Sequence, residues 1–290
     1  MLWVLLTPTG LMVRGALKAD PNDVVLPLNQ AIAGAYTWTT DVFKDTTDEA
    51  YFIAAAGVAL LAFGLAQGER DRARPLARGL VLLPVVCLAL YFTTGQSRGP
   101  VWLFSQRFAI LGFITAVPLL RMPGGWRGHV AAACALAVGV GATVNTCKHF
   151  IQFQLEEVGD IDGAIAAMGP RKRVAALIFD KFSGVTNWAP FLHFGSYYQL
   201  EKGGVVQFSY AGWSHWPFDY KPGHIPPPGE LPRARWEWTP EQVPIEELYP
   251  YYDYVLTRGP GFRPPEGTFH VKWRGDRWMV WERDGAPSSR

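Results

Sequence analysis

The residues best suited to chemistry are acidic, and they precede the first strongly apolar run of the chain. Residues 16–50 contain six carboxylates: Asp20, Asp23, Asp41, Asp45, Asp48 and Glu49. A carboxylate held near a bilayer can accept a proton from a hydroxyl group, as a general base does. Asp20, Asp23 and Asp41 are therefore selected as candidates. Acidic side chains are also ordinary in polar loops, where solvation alone explains them, and this alternative stays open.

One arginine lies beside an apolar run. Arg107 precedes residues 108–120, and Trp102 lies shortly before it. A guanidinium at a membrane interface can pair with a lipid phosphate. It can equally anchor the end of a helix by extending its charged group into water. The tryptophan fits the aromatic belt of an interface in either case.

The histidines and cysteines do not predict a metal site. His215, Asp219 and His224 are close in sequence and could supply ligands, but they lie in a stretch rich in proline and aromatic residues. All three cysteines lie inside or at the edge of apolar runs, which is typical of small buried side chains. They are Cys87, Cys134 and Cys147. No metal and no cofactor are predicted.

Four apolar runs indicate membrane-spanning helices, so the lipid bilayer is a predicted partner. Crossing the hydrocarbon core takes about 20 apolar residues, with about 17 as the lower limit. The runs are residues 51–67, 79–96, 108–120 and 129–147. The third is the shortest, and the fourth is rich in alanine and glycine, as expected where helices pack closely in lipid. The alternative is a buried helical bundle, whose helices would usually show a polar face.

Basic residues set the predicted orientation. Arginines cluster in residues 68–78, and Arg121 and Arg127 lie between the third and fourth runs. Such loops belong in the cytoplasm. Four spans then place residues 16–50 and everything after Cys147 outside a bacterial cytoplasmic membrane. The predicted regions are a truncated span with an outer loop (1–50), a transmembrane region (51–147) and an extracytoplasmic domain (148–290).

The C-terminal region shows the pattern of a small α/β domain. Apolar runs suited to strands alternate with helical spacing, and bulky and polar residues alternate around Gly275 and Asp276, which predicts a hairpin. The predicted helices cover 148–158, 161–168 and 189–202, the strands 174–179, 205–210 and 252–257, and the hairpin 268–282. Strand, helix and strand in close succession favour a parallel pair. The predicted fold class is an α-helical multi-pass membrane region followed by a small α/β extracytoplasmic domain.

Charge and aromatic content restrict the classes of binding partner that this chain is expected to have. A net charge of +2 without a long basic run does not favour nucleic acid. The C-terminal region carries tryptophans that are expected to be exposed, where they suit sugar stacking and protein interfaces equally well. These are Trp213, Trp216, Trp236 and Trp238.

One segment carries a family resemblance. The sequence Gln106-Arg-Phe-Ala-Ile-Leu-Gly-Phe-Ile-Thr-Ala-Val-Pro-Leu-Leu120 is similar to a late span of the bacterial membrane glycosyltransferases that use polyprenyl-phosphate sugars, the C superfamily. The resemblance covers the chain from about Tyr51 to its end, and it implies a C-terminal part of such an enzyme, with a polyprenyl-phosphate sugar as partner. The catalytic carboxylates of that family lie in its first outer loop, and this chain is expected to begin downstream of that loop, so no catalytic residue is transferred here. A non-enzymatic membrane protein, whose outer domain binds a protein or a cell-wall glycan, is the alternative.

Overall fold

The computed structural model describes residues 25–66, 75–96, 105–119, 123–208 and 238–285, together with Lys221, Pro226 and Trp236. The chain divides into two compact units between His149 and Phe150. The first unit is helical, and the second contains a five-stranded mixed sheet.

The described part of the first unit is built from helices, and all but the first of them follow the apolar runs. They are α1 (Leu28–Thr40), α2 (Thr47–Ala66), α3 (Pro75–Thr93), α4 (Gln106–Ala116) and α5 (Gly125–Gln152). Helix α4 ends in a 3-10 turn, Val117–Leu119, and α5 continues as a π-helical turn, Phe153–Val158. Helix α3 contains Pro84, whose missing N–H removes one helical hydrogen bond.

Two of these helices are long and apolar enough to cross a membrane: Thr47–Ala66, and Gly125–Val158 with its π-helical turn included. They correspond to the first and fourth predicted spans. Within the described residues, Leu80–Thr93 is a shorter apolar helix, and α4 has 11 residues. The structure therefore does not support the predicted count of four spans, because the second and third runs fold into shorter helical stretches.

The long apolar helices expose most of their surface. In their most apolar stretches only 11% and 6% of the residues are buried. Large side chains such as Leu60, Leu136 and Val144 are more than half exposed. A core helix of a globular protein buries its apolar stripe, whereas a helix surrounded by lipid does not need to. The surface of these helices is therefore suited to an apolar surrounding.

Helix α1 was not predicted. It lies in the segment that the sequence assigned to an outer loop, and it packs through Ala31 against Tyr91 of α3 and Ala109 of α4. The Tyr91 hydroxyl donates a 2.6 Å hydrogen bond to the Ala31 carbonyl oxygen. Because Tyr91 lies near the end of α3 and Ala109 near the start of α4, these two helix ends lie together beside α1.

The second unit is organised by a sheet of five strands in the order β2-β1-β3-β5-β4. The strands are β1 (Arg173–Ile178), β2 (Val205–Val206), β3 (Tyr254–Arg258), β4 (Phe269–Arg274) and β5 (Trp278–Arg283). Strand β1 pairs in parallel with both β2 and β3, while β5 pairs antiparallel with β3 and with β4. The predicted parallel pair and the predicted hairpin are both confirmed.

Two apolar cores cover the two faces of the sheet. Alternate residues of β1 face opposite sides, so Val174 and Ile178 belong to one core while Leu177 belongs to the other. The first core includes residues of α6 (Ile161–Ala167) and α7 (Gly195–Lys202). The second includes Trp236 and residues around α8 (Ile245–Leu248), next to the 3-10 turn Pro240–Gln242.

Candidate functional site

The acidic segment before α2 is bound to the end of α5 by polar side chains. We call Asp45, Thr47, Asn145 and His149 the span-end cluster. The Nε2 of His149 lies 2.8 Å from Asp45 Oδ2, and the Asn145 amide donates to the Thr47 hydroxyl at 2.8 Å. Thr47 in turn donates from its hydroxyl to Asp45 Oδ1 at 2.7 Å. The cluster joins the first residue of α2 to the last two turns of α5.

The two long helices are antiparallel at this point. Thr47 contacts Asn145, and one turn further along α2 a Cβ added at Gly141 would lie 2.8 Å from the Tyr51 ring. A step of four residues forward in α2 is thus a step of four residues backward in α5. Glycine at position 141 allows this close approach because it lacks a side chain. The start of α2 and the end of α5 therefore lie on the same side of any bilayer that both helices cross.

Structural hydrogen bonds occupy two carboxylates of the acidic segment. Asp48 Oδ2 accepts from the backbone N–H groups of Val42 and Phe43, at 2.7 and 3.0 Å. Asp45 accepts from Thr47 and contacts His149. The hydrogen bond from the Thr47 side chain lowers the pKa of Asp45. Burial opposes this shift, and the hydrogen bond and charge of His149 add to it. Both side chains thus hold the turn before α2.

The predicted site residues are placed as follows. Asp41 is half-buried at the end of α1, where its backbone N–H donates to the Thr37 carbonyl oxygen at 3.1 Å. Its charge acts on Glu49 in the first turn of α2. Arg107 is exposed in the first turn of α4. Asp20 and Asp23 lie outside the described residues. Of the three acidic candidates, the structure therefore places Asp41 among the other carboxylates of this segment. Among the described residues, no hydrogen bond or ion pair joins Arg107 to these carboxylates.

His149, like Thr47 and Asn145, was not singled out by sequence reasoning. Its buried ring stacks on Phe43 with 4.2 Å between ring centroids. The available signal was a histidine four residues after an asparagine, at the end of an apolar run. That signal is common in helices and gives no hint of a partner 104 residues away.

The second unit has an open groove of about 560 Å³ beside α7. Its described lining consists of His193, Ser196, Tyr197, Gln199 and Leu200. These side chains offer hydroxyl, amide and imidazole groups next to an aromatic ring. The described lining contains no carboxylate. A groove of this size can hold a small ligand.

Close packing fixes the position of α7 beside this groove. A Cβ added at Gly195 would lie 2.6 Å from the Ala176 Cβ, so the helix begins directly against β1. The buried Tyr198 hydroxyl accepts from Lys172 N–H at 2.8 Å and donates to the Gly169 carbonyl oxygen at 2.7 Å. The His193 ring stacks on Phe208 with centroids 4.6 Å apart. These contacts hold α7, which lines the groove, against β1.

A buried arginine lies at the carboxyl end of β3. The Arg258 guanidinium lies 3.6 Å from the Phe191 ring centroid and 3.4 Å from Asp180 Oδ2. Burial lowers the pKa of Arg258, while the negative charge of Asp180 opposes the shift. The Arg258 side chain, only 2% exposed, contributes to the core more than to a surface site. Sequence analysis did not identify it, since an arginine at the end of a strand is usually solvated.

The remaining predictions are compared with the structure one by one, and several concern residues outside the described ranges. Trp236 was expected to be exposed, but it is 4% exposed because its ring packs in the second core. Trp238 is 40% exposed, as expected. Trp213, Trp216, His215, Asp219 and His224 lie outside the described residues. Within the part of the chain that is described, no group of three or more histidine, cysteine or acidic side chains could hold a metal ion. Of the three cysteines, all free, Cys87 alone is buried and Cys147 is exposed.

No family model, curated protein or solved structure matches this chain.

Proposed function

We propose that this chain is a multi-pass membrane protein with its C-terminal domain on the outer face of a bacterial cytoplasmic membrane. The observation that carries the proposal is the span-end cluster, which joins the start of one long apolar helix to the end of another. The ends of α3 and α4 that contact α1 are the two ends that the four-span topology assigns to the same side. The contacts with α1 bring these two helix ends together, as the proposed topology requires.

At the outer face, we propose action on a lipid-linked sugar, as the resemblance to polyprenyl-phosphate-sugar transferases implies. Support comes from the concentration of carboxylates at the start of α2, near the expected level of lipid head groups. Asp41 is the acidic side chain proposed as the general base, because it follows the end of α1 and its charge acts on Glu49 in the first turn of α2. The exposed Arg107 is proposed to pair with the lipid phosphate.

Transfer from a radiolabelled polyprenyl-phosphate hexose tests this function directly. The full chain in lipid nanodiscs, supplied with a water-soluble glycan as acceptor, is expected to transfer the labelled hexose to an acceptor hydroxyl group. Polyprenyl phosphate is the leaving group, so label is lost from the lipid-extractable fraction. The variant Asp41→Asn is expected to reduce the rate by about 100-fold or more, since general bases contribute on that order. Asp276→Asn is the matched control, because Asp276 is exposed in the hairpin turn of the second unit. Wild-type protein that removes no more label than empty nanodiscs would contradict a transferase.

The groove beside α7 favours a second candidate, a membrane-anchored binding protein. Its described lining has hydrogen-bonding groups and a half-exposed tyrosine, which suit the polar edges and apolar face of a sugar ring. Binding without transfer would support this function. In that case Tyr197→Ala should weaken retention of the same labelled lipid by about tenfold or more. Tyr36→Ala, at an exposed tyrosine of α1, should not.

A further inference from the structure

The buried imidazole of His149 faces hydrogen-bond acceptors on both sides. Its Nδ1 lies 2.8 Å from the Asn145 carbonyl oxygen, and its Nε2 lies 2.8 Å from Asp45 Oδ2. A backbone carbonyl oxygen can only accept, and so can an ionised carboxylate. A neutral imidazole carries a single N–H, so it can satisfy only one of these two contacts. Both contacts can be hydrogen bonds only if the His149–Asp45 pair carries one proton more than a neutral imidazole and an ionised carboxylate do together.

The surroundings place that proton on His149 and leave Asp45 ionised. Asp45 Oδ1 accepts two hydrogen bonds from Thr47, one from the hydroxyl at 2.7 Å and one from the backbone N–H at 3.2 Å. Hydrogen bonds of this kind favour the charged carboxylate. The Phe43 ring stacks on the imidazole at 4.2 Å, and an aromatic face attracts a cation. Burial of the ring opposes the positive charge, but each of these contacts favours an imidazolium beside a carboxylate.

The charged groups that act on His149 come from two elements. Asp45 belongs to the segment before α2, and Lys148 belongs to α5 itself. Lys148 is exposed and opposes a positive imidazole, but water screens its charge. Asp45 is in direct contact and favours the cation. The effect of Asp45 on His149 therefore outweighs that of Lys148.

We propose that Asp45 and His149 form a charged, pH-dependent tie that holds the segment before α2 against the end of α5. The tie goes beyond the proposed function and stands whether or not the chain transfers sugars. It is complete while His149 is protonated and Asp45 is ionised. As the pH rises, His149 loses its proton and one of its two contacts becomes repulsive, so the segment loosens. Strong acid also weakens the tie, because it protonates Asp45.

Hydrogen exchange of the full chain in nanodiscs tests the tie. The amides of residues 42–50 are compared between wild type and Asp45→Asn, a near-isosteric change that keeps an oxygen for the Thr47 donors. At about pH 6, where a histidine beside a carboxylate is charged, wild type should exchange at least about tenfold more slowly than the variant. At about pH 10, well above any ordinary histidine pKa, the ratio should fall toward one.

Asn145→Ala is the matched control, because it removes the neutral hydrogen bond to Thr47 from the same helix end. Its effect on exchange should be the same at both pH values. Nitrogen NMR of labelled histidine, assigned with His149→Gln, gives an independent readout: both ring nitrogens of His149 should carry protons at about pH 7.5, where a free imidazole is mostly neutral. A constant ratio between wild type and Asp45→Asn across the pH range, or a neutral His149 at pH 7.5, would overturn the tie.

Discussion

At the residue scale, the Asp253 carboxylate binds two arginines at the end of the sheet where the parallel strands β1 and β3 begin. Its carboxylate accepts from the Arg173 backbone N–H and guanidinium, at 3.0 to 3.3 Å, and from Arg283 at 3.2 Å. Burial disfavours the ionised carboxylate. The hydrogen bonds and charge of Arg173 outweigh that effect, together with the charge of Arg283, so the pKa of Asp253 is lowered.

Replacing Asp253 by asparagine removes the negative charge between these two arginines. We expect Asp253→Asn to lower the free energy of unfolding of the second unit by about 2 kcal/mol, because a largely buried guanidinium of Arg283 loses its counter-ion. Hydrogen exchange of the β1 and β3 amides in the full chain measures the change. Asp276→Asn, at an exposed carboxylate, should change it by less than about 0.5 kcal/mol.

The same carboxylate sets a pH dependence. A lowered pKa means that the contribution of Asp253 is complete above about pH 4, the ordinary range of an aspartate, and is lost as the pH falls through its lowered value. The stability difference between wild type and Asp253→Asn should therefore shrink on acidification to about pH 2. A difference that stays constant between about pH 6 and pH 2 would show that the charge of Asp253 is not the stabilising group.

At the element scale, the packing of α7 against β1 depends on a single missing side chain. Gly195→Ala would bring a Cβ within 2.6 Å of the Ala176 Cβ, and neither atom can rotate away. We expect α7 to shift from the sheet, with a loss of about 1–3 kcal/mol in unfolding free energy, as for overpacked cores. Ser196→Ala, at the next and exposed position, should be nearly neutral. Equal stability of the two variants would contradict the close contact.

The sequence predicted the elements of the second unit well where the apolar pattern was local. The predicted strand 174–179 corresponds to β1, Arg173–Ile178, and the strand 252–257 to β3, Tyr254–Arg258. Period-two alternation around a glycine turn suffices to predict the hairpin β4–β5. Helix boundaries were less accurate. The helix expected over 189–202 begins at Gly195, because residues 190–194 form turns. Glycine at position 195 leaves room for the Ala176 side chain of β1.

The candidate site was less predictable, for a physical reason. Composition indicates that residues 41–49 are acidic, but it cannot tell which carboxylates accept structural hydrogen bonds. The partner of Asp45 is His149, 104 residues later, and the pairing depends on the antiparallel register of α2 and α5. The short helix predicted over 148–158 is instead the end of a long helix and its π-helical turn. Without that continuity the position of His149 cannot be derived.

At the scale of the whole molecule, the described helices of the first unit enclose only a small apolar core, around Ala31, Tyr91 and Ala109. The apolar side chains of α2 and α5 are mostly exposed, and large ones project on several sides of α3. In water this surface would drive aggregation, whereas in lipid it costs nothing. This surface therefore suits the lipid surrounding that the proposed topology requires.

Cysteine accessibility in spheroplasts tests the proposed topology most directly. Single cysteines replace the exposed residues Lys44, Gly124 and Glu266 in a chain whose three natural cysteines are alanine. A membrane-impermeant maleimide should label positions 44 and 266 in intact spheroplasts, and position 124 only after permeabilisation. Labelling of all three positions without permeabilisation, or of position 124 alone, would contradict a membrane protein whose span-end cluster and C-terminal domain lie on the outer face.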